Sequence, residues 1–256
     1  MKKPFSYYGR RLKALGYLLC LALFVYPLQS GAQDMHDMVG MQGERFTYVA
    51  FDQLEYSRNE GANLFLWAFT SWTGGDYNRF WIKSEGGVNA TSNNKEGEVQ
   101  ALYSLLVAPF WEAQIGARLD VLRSGGKNES RALFVVGLEG LAPYWFEVEP
   151  AIFVSHKGDI SARFAATYDL RVTQRLIAQP SLEINSAIQD VPEFEIASGI
   201  NDIGLDLRLQ YELKREFAPY VGIAWTRKMG QTADLARLSG ERVGTVAVVA
   251  GLRMWR

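Results

Sequence analysis

The amino-acid sequence predicts an all-β fold: an antiparallel, up-and-down β-barrel of about 12 strands that lies in an outer membrane, with both termini in the periplasm. Three observations predict this fold. The chain begins with a segment that has the features of an export signal. Segments of alternating apolar and polar residues then repeat to the C-terminus. The connections between them are alternately short and, for the most part, longer and more polar.

The N-terminal segment has the features of a secretory signal peptide. Five basic residues precede the apolar run ALGYLLCLALFVYPL (14–28), and LQSGA then offers small residues before a cleavage point near Ala32. An uncleaved membrane anchor is the alternative, but the run is short for a helix that must cross about 30 Å of hydrocarbon. The predicted organisation is a signal peptide (1–32), a Met/His-containing periplasmic segment (33–44) and a transmembrane barrel (45–256).

Cleavage would change the charge and the chemistry of the chain. It would remove five basic residues, no acidic residue and Cys20, which is the only cysteine. The exported chain would hold 22 basic and 28 acidic residues, a net charge of −6. Without cysteine it has no disulfide and no thiolate that could bind a metal or act as a nucleophile. No nucleic-acid partner is expected for this acidic chain.

The period of the pattern identifies the strands. In LDLRLQYEL (205–213) the apolar residues take every second place and polar residues take the others. A helix would scatter these charges over all faces, whereas a strand has one apolar and one polar side. The same period recurs in WEAQIGARLDV (111–121) and ARFAATYDLR (162–171). In chain order, the predicted strands are 45–57, 62–73, 78–86, 97–107, 111–122, 130–140, 144–155, 160–171, 175–187, 201–213, 219–228 and 243–255.

The connections predict which ends of the strands lie together. The short ones are GGDY (74–77), VAPF (107–110), LAPY (141–144), VTQR (172–175) and REFAP (215–219). The longer ones are GVNATSNNKEG (87–97), RSGGKNES (123–130), IQDVPEFEIASG (188–199) and MGQTADLARLSGER (229–242). Turns at one end and longer loops at the other are typical of outer-membrane barrels.

A secreted β-sandwich or a lipocalin-like barrel is the soluble alternative. Such a protein turns its charges to water and its apolar faces inward, and this number of strands leaves too much apolar outer face for that arrangement. Aromatic residues also cluster at segment ends, as in PFW (109–111), PYWF (143–146) and FAPY (217–220). An aromatic girdle at the membrane interfaces explains this placement.

The cost of charge in lipid assigns the polar faces to the lumen. A cation at mid-membrane on the lipid face costs about 2–4 kcal/mol. The lumen cations are then Arg79, Lys83, Arg118, Arg163, Arg171 and Arg208. The lumen carboxylates are Glu55, Glu85, Glu98, Glu112, Asp120, Glu139, Glu147, Glu149, Asp169, Glu183, Asp206 and Glu212. This polar, acidic interior is either a lining of ion pairs or a path that attracts metal cations.

Catalytic chemistry has little support in the sequence. Only two histidines are present, His36 near the N-terminus and His156 in the connection SHKGD (155–159), and neither lies on a predicted strand wall. A serine or threonine nucleophile would need such a base beside it. The chain has no phosphate-binding loop, dinucleotide fingerprint or paired-histidine helix. The sequence therefore predicts a protein that is not an enzyme.

The segment DMHDMVGMQG (34–43) predicts a metal site. Three of the six methionines lie here with one histidine. Thioether sulfur suits Cu(I), and imidazole also binds Cu(II). The candidate ligands are Met35, His36, Met38 and Met41, and the further candidates are Asp34, Asp37, Glu147 and Glu149. The alternative is a disordered stub in which the methionines are incidental.

Several segments together resemble a known family. They are FDQLEY (51–56), GLAPYWFEVEP (140–150), LRVTQRLIAQPSLEIN (170–185), GINDIGLDLRLQYELKREFAPYVGIAW (199–225) and VAGLRMW (249–255). They resemble the copper resistance protein B family, the outer-membrane component of bacterial copper-resistance systems. The resemblance runs over nearly all of 45–256, and GLAPYWFEVE and REFAPYVG are its most specific parts.

The resemblance implies an outer-membrane barrel of a Gram-negative cell that contributes to copper tolerance and binds Cu(I) or Cu(II). It implies as partners outer-membrane lipid, copper ions and a periplasmic copper-binding or copper-oxidising protein. The chain departs from the family in its short Met/His extension, in its more apolar second strand LFLWAFTSW (64–72) and in the terminal Arg256. A general, cation-leaning porin without a specific metal role is the competing expectation.

Overall fold

The computed structural model describes residues 45–59, 62–90, 92, 94–124 and 126–256. The predicted signal peptide (1–32) and the predicted Met/His segment (33–44) lie outside the described residues. The strands are β1 Phe46–Asn59, β2 Ala62–Gly74, β3 Asn78–Asn89, β4 Lys95–Ala108, β5 Trp111–Ser124, β6 Lys127–Ala142, β7 Phe146–Ser155, β8 Ile160–Thr167, β9 Leu170–Arg171, β10 Leu176–Ala187, β11 Gly199–Tyr211, β12 Phe217–Lys228 and β13 Gly244–Trp255. The helices are α1 Gly230–Leu238 and two 3₁₀ turns, Pro143–Trp145 and Pro192–Phe194.

The strands form one closed sheet. Each wall strand pairs antiparallel with its sequence neighbour, and β13 pairs with β1 to close the barrel. The two-residue β9 follows β8 along the same side of β10, so thirteen strands fill twelve wall positions. Closure pairs the edges that an open sheet would leave exposed in hydrocarbon. The predicted fold class, a 12-stranded antiparallel barrel, is confirmed.

The outer face is apolar and the inner face is polar, the reverse of a soluble barrel. On β11, Leu205, Leu207 and Leu209 expose 42–52% of their surface, whereas Arg208 and Gln210 expose 5% and 2%. An exposed apolar belt of this kind requires lipid around it. The protein is therefore an outer-membrane barrel, and the soluble alternative is excluded.

The two ends of the barrel differ. The connections 75–77, 109–110, 143–145, 172–175 and 212–216 are short, as predicted, and lie together at what we call the short-turn end. Exposed aromatic side chains mark this end, at Tyr77, Phe110, Tyr144 and Trp145. β1 begins here and β13 ends here, where the backbones of Val49 and Arg256 exchange hydrogen bonds of 2.9 and 2.8 Å. The opposite end, which we call the loop end, carries the loops 188–198 and 229–243.

One predicted loop is wrong. The sequence predicts that RSGGKNES (123–130) connects two strands, but β5 continues to Ser124 and β6 begins at Lys127. The hairpin continues because Arg123 pairs with Asn128 and Ser124 with Lys127 in the ladder. These residues are polar on both faces of the hairpin. The alternation that identifies a membrane strand is therefore lost there, although the backbone ladder is not.

A second difference is the helix α1 inside the predicted loop 229–242. Its side chains Thr232, Ala233 and Ala236 are buried. The Thr232 hydroxyl oxygen accepts hydrogen bonds from the Ala197 backbone N–H at 3.1 Å and from the Asn201 amide at 3.0 Å. Contacts with a distant loop thus stabilise a helix too short to be stable alone. No helix in the described part of the chain is long and apolar enough to cross a membrane.

The lipid-facing position of Leu207 gives a stability prediction. Replacing Leu207, which is exposed near the middle of β11, by arginine should destabilise the barrel by about 2–4 kcal/mol because the charge must leave water. Leu238→Arg at the exposed end of α1 is the matched control and should have little effect. Urea unfolding of the protein in lipid vesicles measures both. Equal stability of the two variants would contradict the lipid-facing assignment of β11.

Candidate functional site

The candidate functional site is the lumen, because the charged residues assigned to it from the sequence meet there. Five of the six predicted cations form ion pairs with predicted carboxylates. These pairs are Arg79–Glu112, Lys83–Glu139, Lys83–Glu149, Arg118–Glu98, Arg118–Asp120, Arg163–Glu85, Arg163–Glu98, Arg163–Glu183, Arg208–Glu55 and Arg208–Asp206. The sixth cation, Arg171, lines a cavity at the short-turn end. The first of the two predicted roles, a lining of ion pairs, is therefore present.

A β-bulge in β1 brings a further carboxylate inward that the sequence did not reveal. The ladder shifts between Phe51 and Leu54 against β13, and between Phe51 and Gln53 against β2. Strict alternation would place residues three apart on opposite faces, but the extra residue lets Asp52 and Glu55 both face the lumen. Asp52 lies 3.7 Å from the Arg253 Nε atom.

Two inward cations were also missed, Arg131 and Arg253. Arg131 donates a 2.8 Å hydrogen bond to Asp120, and its guanidinium lies 4.2 Å from the ring centroid of Phe194 in the loop 188–198. The sequence could have revealed Arg131, because residues an even number apart on a strand share a face and Arg131 lies eight residues before the predicted lumen residue Glu139. With these two cations and Asp52 added, carboxylates still outnumber cations in the lumen.

The interior, which the sequence predicts to be polar and acidic on balance, also contains an apolar cluster. Its members face inward and are buried, and they are Trp81, Leu102, Leu133, Val135 and Phe153. The Trp81 indole N–H donates to the Ser104 hydroxyl at 2.9 Å. The lumen is narrow enough for side chains from neighbouring strands to touch and exclude water, so apolar residues can pack there.

The most deeply buried ion pair joins the first and last parts of the barrel. Glu55 on β1 is completely buried, and its carboxylate accepts a 2.8 Å hydrogen bond from Arg208 on β11. Arg208 also donates to Asp206 at 3.0 Å and lies 5.9 Å from the ring of Tyr220 on β12. Tyr220 in turn lies against Gly251 on β13, where the Cβ atom of any other residue would come within 2.5 Å of the phenol oxygen. One cluster thus connects four consecutive strands of the wall, β11, β12, β13 and β1.

A second cluster surrounds Lys83. Its ammonium group donates hydrogen bonds of 2.8 Å to both Glu139 and Glu149. Glu139 also accepts a 2.6 Å hydrogen bond from Gln114. Glu149, a candidate copper ligand, is therefore already paired with a cation. Glu147, the other candidate on β7, lies two residues closer to the short-turn end on the same face of the strand and is exposed.

Arg163 on β8 connects opposite walls of the barrel. Its guanidinium donates two hydrogen bonds to Glu98 on β4, at 3.1 and 2.8 Å. It also lies 3.6 Å from Glu85 on β3 and 3.7 Å from Glu183 on β10. β3 and β10 are six positions apart in the twelve-position wall, so they face each other across the lumen. A single side chain therefore reaches carboxylates from both sides of the interior.

The water-accessible part of this lining is acidic. Glu85, Glu149 and Glu183 expose 45–48% of their side chains. The cations Lys83, Arg118, Arg163 and Arg208 expose only 6–18%. Excess carboxylates thus face the interior water, while the cations that pair with them are less accessible to it. Such a surface raises the local concentration of cations.

Access to the lumen differs between the two ends. At the short-turn end a cavity of about 480 Å³ is lined by Tyr48, Asp169, Arg171, Ile177, Gln210, Glu212, Arg215, Ala218, Arg253 and Trp255. At the loop end, Phe194 of the loop 188–198 contacts the guanidinium of Arg131, and Glu193 accepts a 3.1 Å hydrogen bond from Lys157. The long loop therefore covers part of the lumen at the loop end.

The candidate metal ligands are only partly described. Met35, His36, Met38, Met41, Asp34 and Asp37 lie outside the described residues. Within the described part of the chain, no group of three or more histidine, cysteine, aspartate or glutamate side chains is arranged to hold a metal ion. His156 lies in the connection between β7 and β8, with Nδ1 3.3 Å from the carbonyl oxygen of Ala132. The hydroxyl of the adjacent Ser155 donates instead to Asp159 at 2.8 Å.

Comparisons with known proteins identify relatives over most of the chain. Residues 45–256 match the sequence model described as copper resistance protein B precursor. Copper resistance protein B of Escherichia coli is 41% identical over 207 residues, which are 81% of this chain and 68% of that protein. The copper resistance protein B homolog of Pseudomonas syringae pv. tomato (strain ATCC BAA-871 / DC3000) is 37% identical over 231 residues, 90% of this chain and 75% of that protein.

A solved structure gives an independent comparison of the fold. The NanC porin matches with a TM-score of 0.52 over 82% of this chain and 99% of the porin. The two sequences are only 13% identical, so this similarity concerns the barrel architecture alone.

The Glu55–Arg208 pair gives a prediction for the site. Arg208→Met leaves the buried Glu55 carboxylate without its cation and should cost about 3–5 kcal/mol of stability. The double variant Glu55→Gln with Arg208→Met removes the uncompensated charge and should recover most of that loss. Lys157→Met, which removes an exposed ion pair with Glu193, is the control and should cost about 0–1 kcal/mol. Urea unfolding in vesicles measures the free energy of unfolding of the three variants. A double variant no more stable than Arg208→Met would show that the uncompensated charge of Glu55 is not the cause of the loss.

Proposed function

The chain belongs to the copper resistance protein B family and has a role in copper resistance, and we propose that it fulfils this role by binding copper ions at the outer membrane. Two parts of the chain would do so: the Met/His segment 33–44 and the acidic lumen. The short-turn end would face the periplasm, with both termini of the mature protein on that side. The signal peptide 1–32 would be removed on export.

The observation that carries the proposal is the arrangement of charge in the lumen. Glu85, Glu149 and Glu183 are half-exposed to the interior, whereas the cations Lys83, Arg163 and Arg208 are mostly buried. A cation that enters therefore meets carboxylate oxygens first. These are ligands for Cu(II) more than for Cu(I), because carboxylate oxygen is a hard donor.

The Met/His segment would supply the softer ligands. Thioether sulfur of Met35, Met38 and Met41 suits Cu(I), and the imidazole of His36 accepts either oxidation state. Asp34 and Asp37 would add oxygen ligands. The segment is short, so it would hold a small site and not a store of copper. A periplasmic copper-binding or copper-oxidising protein would be the natural donor or acceptor of the ion.

The two carboxylates of β7 would be secondary ligands. Glu147 forms no ion pair in the described part of the chain and faces the short-turn end, so it is available to a cation that enters there. Glu149 would have to be shared with Lys83, to which it is bound at 2.8 Å. We therefore rank Glu147 above Glu149 as a lumen ligand.

A general, cation-leaning porin is the second candidate function. The acidic lining favours it, because excess carboxylate alone makes a pore prefer cations. The contacts of Arg163 with both walls argue against a wide pore, since side chains occupy the interior at that level. An enzyme has no support from the described residues, because His156 contacts a backbone carbonyl and is not paired with a nucleophile.

The proposed Met/His site predicts a change in copper stoichiometry. Replacing Met35, Met38 and Met41 by leucine and His36 by glutamine should lower the Cu(I) bound by the purified protein, because leucine keeps the shape of methionine but has no sulfur. Titration against a chromophoric Cu(I) chelator measures the stoichiometry. Met229→Leu with Met254→Leu removes two methionines outside the segment and should change nothing. Unchanged copper stoichiometry in the variant of the Met/His segment would show that this segment does not bind the Cu(I).

Conductance separates the two candidate functions. In planar bilayers, a general porin gives large ohmic steps that do not respond to copper. The proposed copper-binding barrel should show low conductance, or conductance that changes when micromolar Cu²⁺ is added to one side. Large steps that are indifferent to copper would favour the porin and count against the copper proposal.

A further inference from the structure

We propose that Arg163 is a tethered cation that closes the lumen, and that a cation passes only by displacing its guanidinium from Glu85 and Glu183. The inference rests on the proposed function for the identity of the cation, which would be a copper ion. The closure itself rests on the geometry of three carboxylates and one arginine.

The first argument is the span of the contact. Glu85 belongs to β3 and Glu183 to β10, and these strands lie on opposite sides of the wall. The guanidinium of Arg163 comes within 3.6 Å of one carboxylate and 3.7 Å of the other. The other lumen ion pairs connect strands that are closer in the wall, such as Arg79 on β3 with Glu112 on β5. Lys83 on β3 spans four wall positions to reach Glu149 on β7, and the Arg163–Glu85 contact spans five, so Arg163 makes the widest of the ion contacts in the described part of the lumen.

The second argument is the difference between its contacts. The two hydrogen bonds to Glu98 have normal lengths of 3.1 and 2.8 Å, and Glu98 is held in turn by Arg118 at 2.6 Å. The contacts with Glu85 and Glu183 are longer than hydrogen bonds. Glu98 is thus the anchor of the guanidinium, whereas Glu85 and Glu183 attract it without binding it. An entering cation can take these two carboxylates without breaking the anchor.

The third argument is the support behind the arginine. Phe153 is buried on β7, with its ring centroid 4.6 Å from the guanidinium carbon of Arg118 and 5.7 Å from that of Arg163. The ring supports both cations by cation–π attraction and keeps them on the β7 side of the lumen. Asn185 accepts a 3.3 Å hydrogen bond from Arg163 Nε and donates a 2.8 Å hydrogen bond to Glu183. The guanidinium and the carboxylate it must release are therefore held by the same amide.

The charges explain why this arrangement would select cations. In the described part of the chain, Glu85 and Glu183 have no ion-pair partner other than Arg163. The single guanidinium is shared among Glu98, Glu85 and Glu183 and leaves negative charge in excess, so a divalent cation that takes Glu85 and Glu183 lowers the uncompensated charge in the narrow lumen. An anion would compete for Arg163 against three carboxylates and would be repelled by all of them. We call the contact of Arg163 with Glu85 and Glu183 the bridge. It exchanges cations, and the guanidinium of Arg163 closes the lumen when no other cation is bound.

The test compares two variants that remove the same charge. Arg163→Gln removes the bridge, whereas Arg79→Gln removes a lumen cation whose ion pair with Glu112 joins strands only two wall positions apart. The full-length mature protein is refolded and inserted into planar bilayers, and single-channel conductance is measured in potassium chloride. The reversal potential is then measured in a gradient of the same salt. Migration of unheated samples on SDS gels shows that each barrel is folded.

The proposal predicts a several-fold higher conductance for Arg163→Gln than for wild type. Its reversal potential should also shift toward the equilibrium potential of potassium, because Glu85 and Glu183 are left without a counter-charge. Arg79→Gln should stay near wild type in both. Equal conductance and equal reversal potential in the two variants would overturn the proposal. If Arg163→Gln does not fold, the conductance of Arg163→Lys is measured in its place, since lysine keeps the charge but cannot hold Glu98 by two hydrogen bonds. Its conductance must then exceed that of Arg79→Lys.

Potassium currents test the closure of the lumen without copper. A result that contradicts the closure is therefore distinct from a result that contradicts the proposed copper binding. A second variant pair tests the exchange itself. Wild-type conductance should rise when Cu²⁺ is added, and Glu85→Gln with Glu183→Gln should abolish the response while Arg163 stays anchored on Glu98. A response to Cu²⁺ that persists in this double variant would show that copper does not act at the bridge.

Discussion

Closure of the sheet between β1 and β13 is the constraint on which the other features depend. Within hydrocarbon every backbone polar group must find a partner in the protein, so the edges of the sheet must pair with each other. Twelve wall positions enclose an interior in which arginine and glutamate side chains can reach each other from different walls. Side chains and their ion pairs consequently cross the lumen. The Glu55–Arg208–Tyr220–Gly251 cluster lies where the chain closes, and its members come from four neighbouring strands.

Lipid outside and limited space inside together decide the distribution of charge. Charges are excluded from the outer face by their cost in hydrocarbon, and within the lumen each cation is drawn between carboxylates. Because carboxylates are in excess, some remain half-exposed to the interior water, as Glu85, Glu149 and Glu183 do. The two roles that the sequence left open, a structural lining and an acidic path for cations, are therefore compatible. The buried arginines serve the lining, and the remaining carboxylates present the negative surface.

The segments that resemble the copper resistance protein B family meet at specific places in the barrel. FDQLEY contains the bulge and both Asp52 and Glu55. The long segment 199–225 supplies Arg208 and Tyr220, and VAGLRMW supplies Gly251 and Arg253, so distant motifs form one inward-facing region beside the closure. GLAPYWFEVEP supplies a short turn and the two carboxylates of β7. The barrel architecture is similar to that of a porin of low sequence identity, whereas the inward-facing cluster beside the closure is built from these family segments.

The amino-acid sequence predicted the wall, the lipid-facing side and most of the lumen charges, because alternation of period two is a local property and the cost of charge in lipid assigns each face. It also identified Glu55, Arg163 and Arg208 as inward residues, but not their partners. The tertiary structure was needed to show that a bulge turns Asp52 inward, that Leu133 and Val135 pack against Trp81 and Phe153, and that residues 230–238 form a helix. It alone brought Glu85 and Glu183 to the same arginine. The reason is physical: these features depend on the curvature of the closed sheet and on contacts between residues far apart in the chain, which no local pattern records.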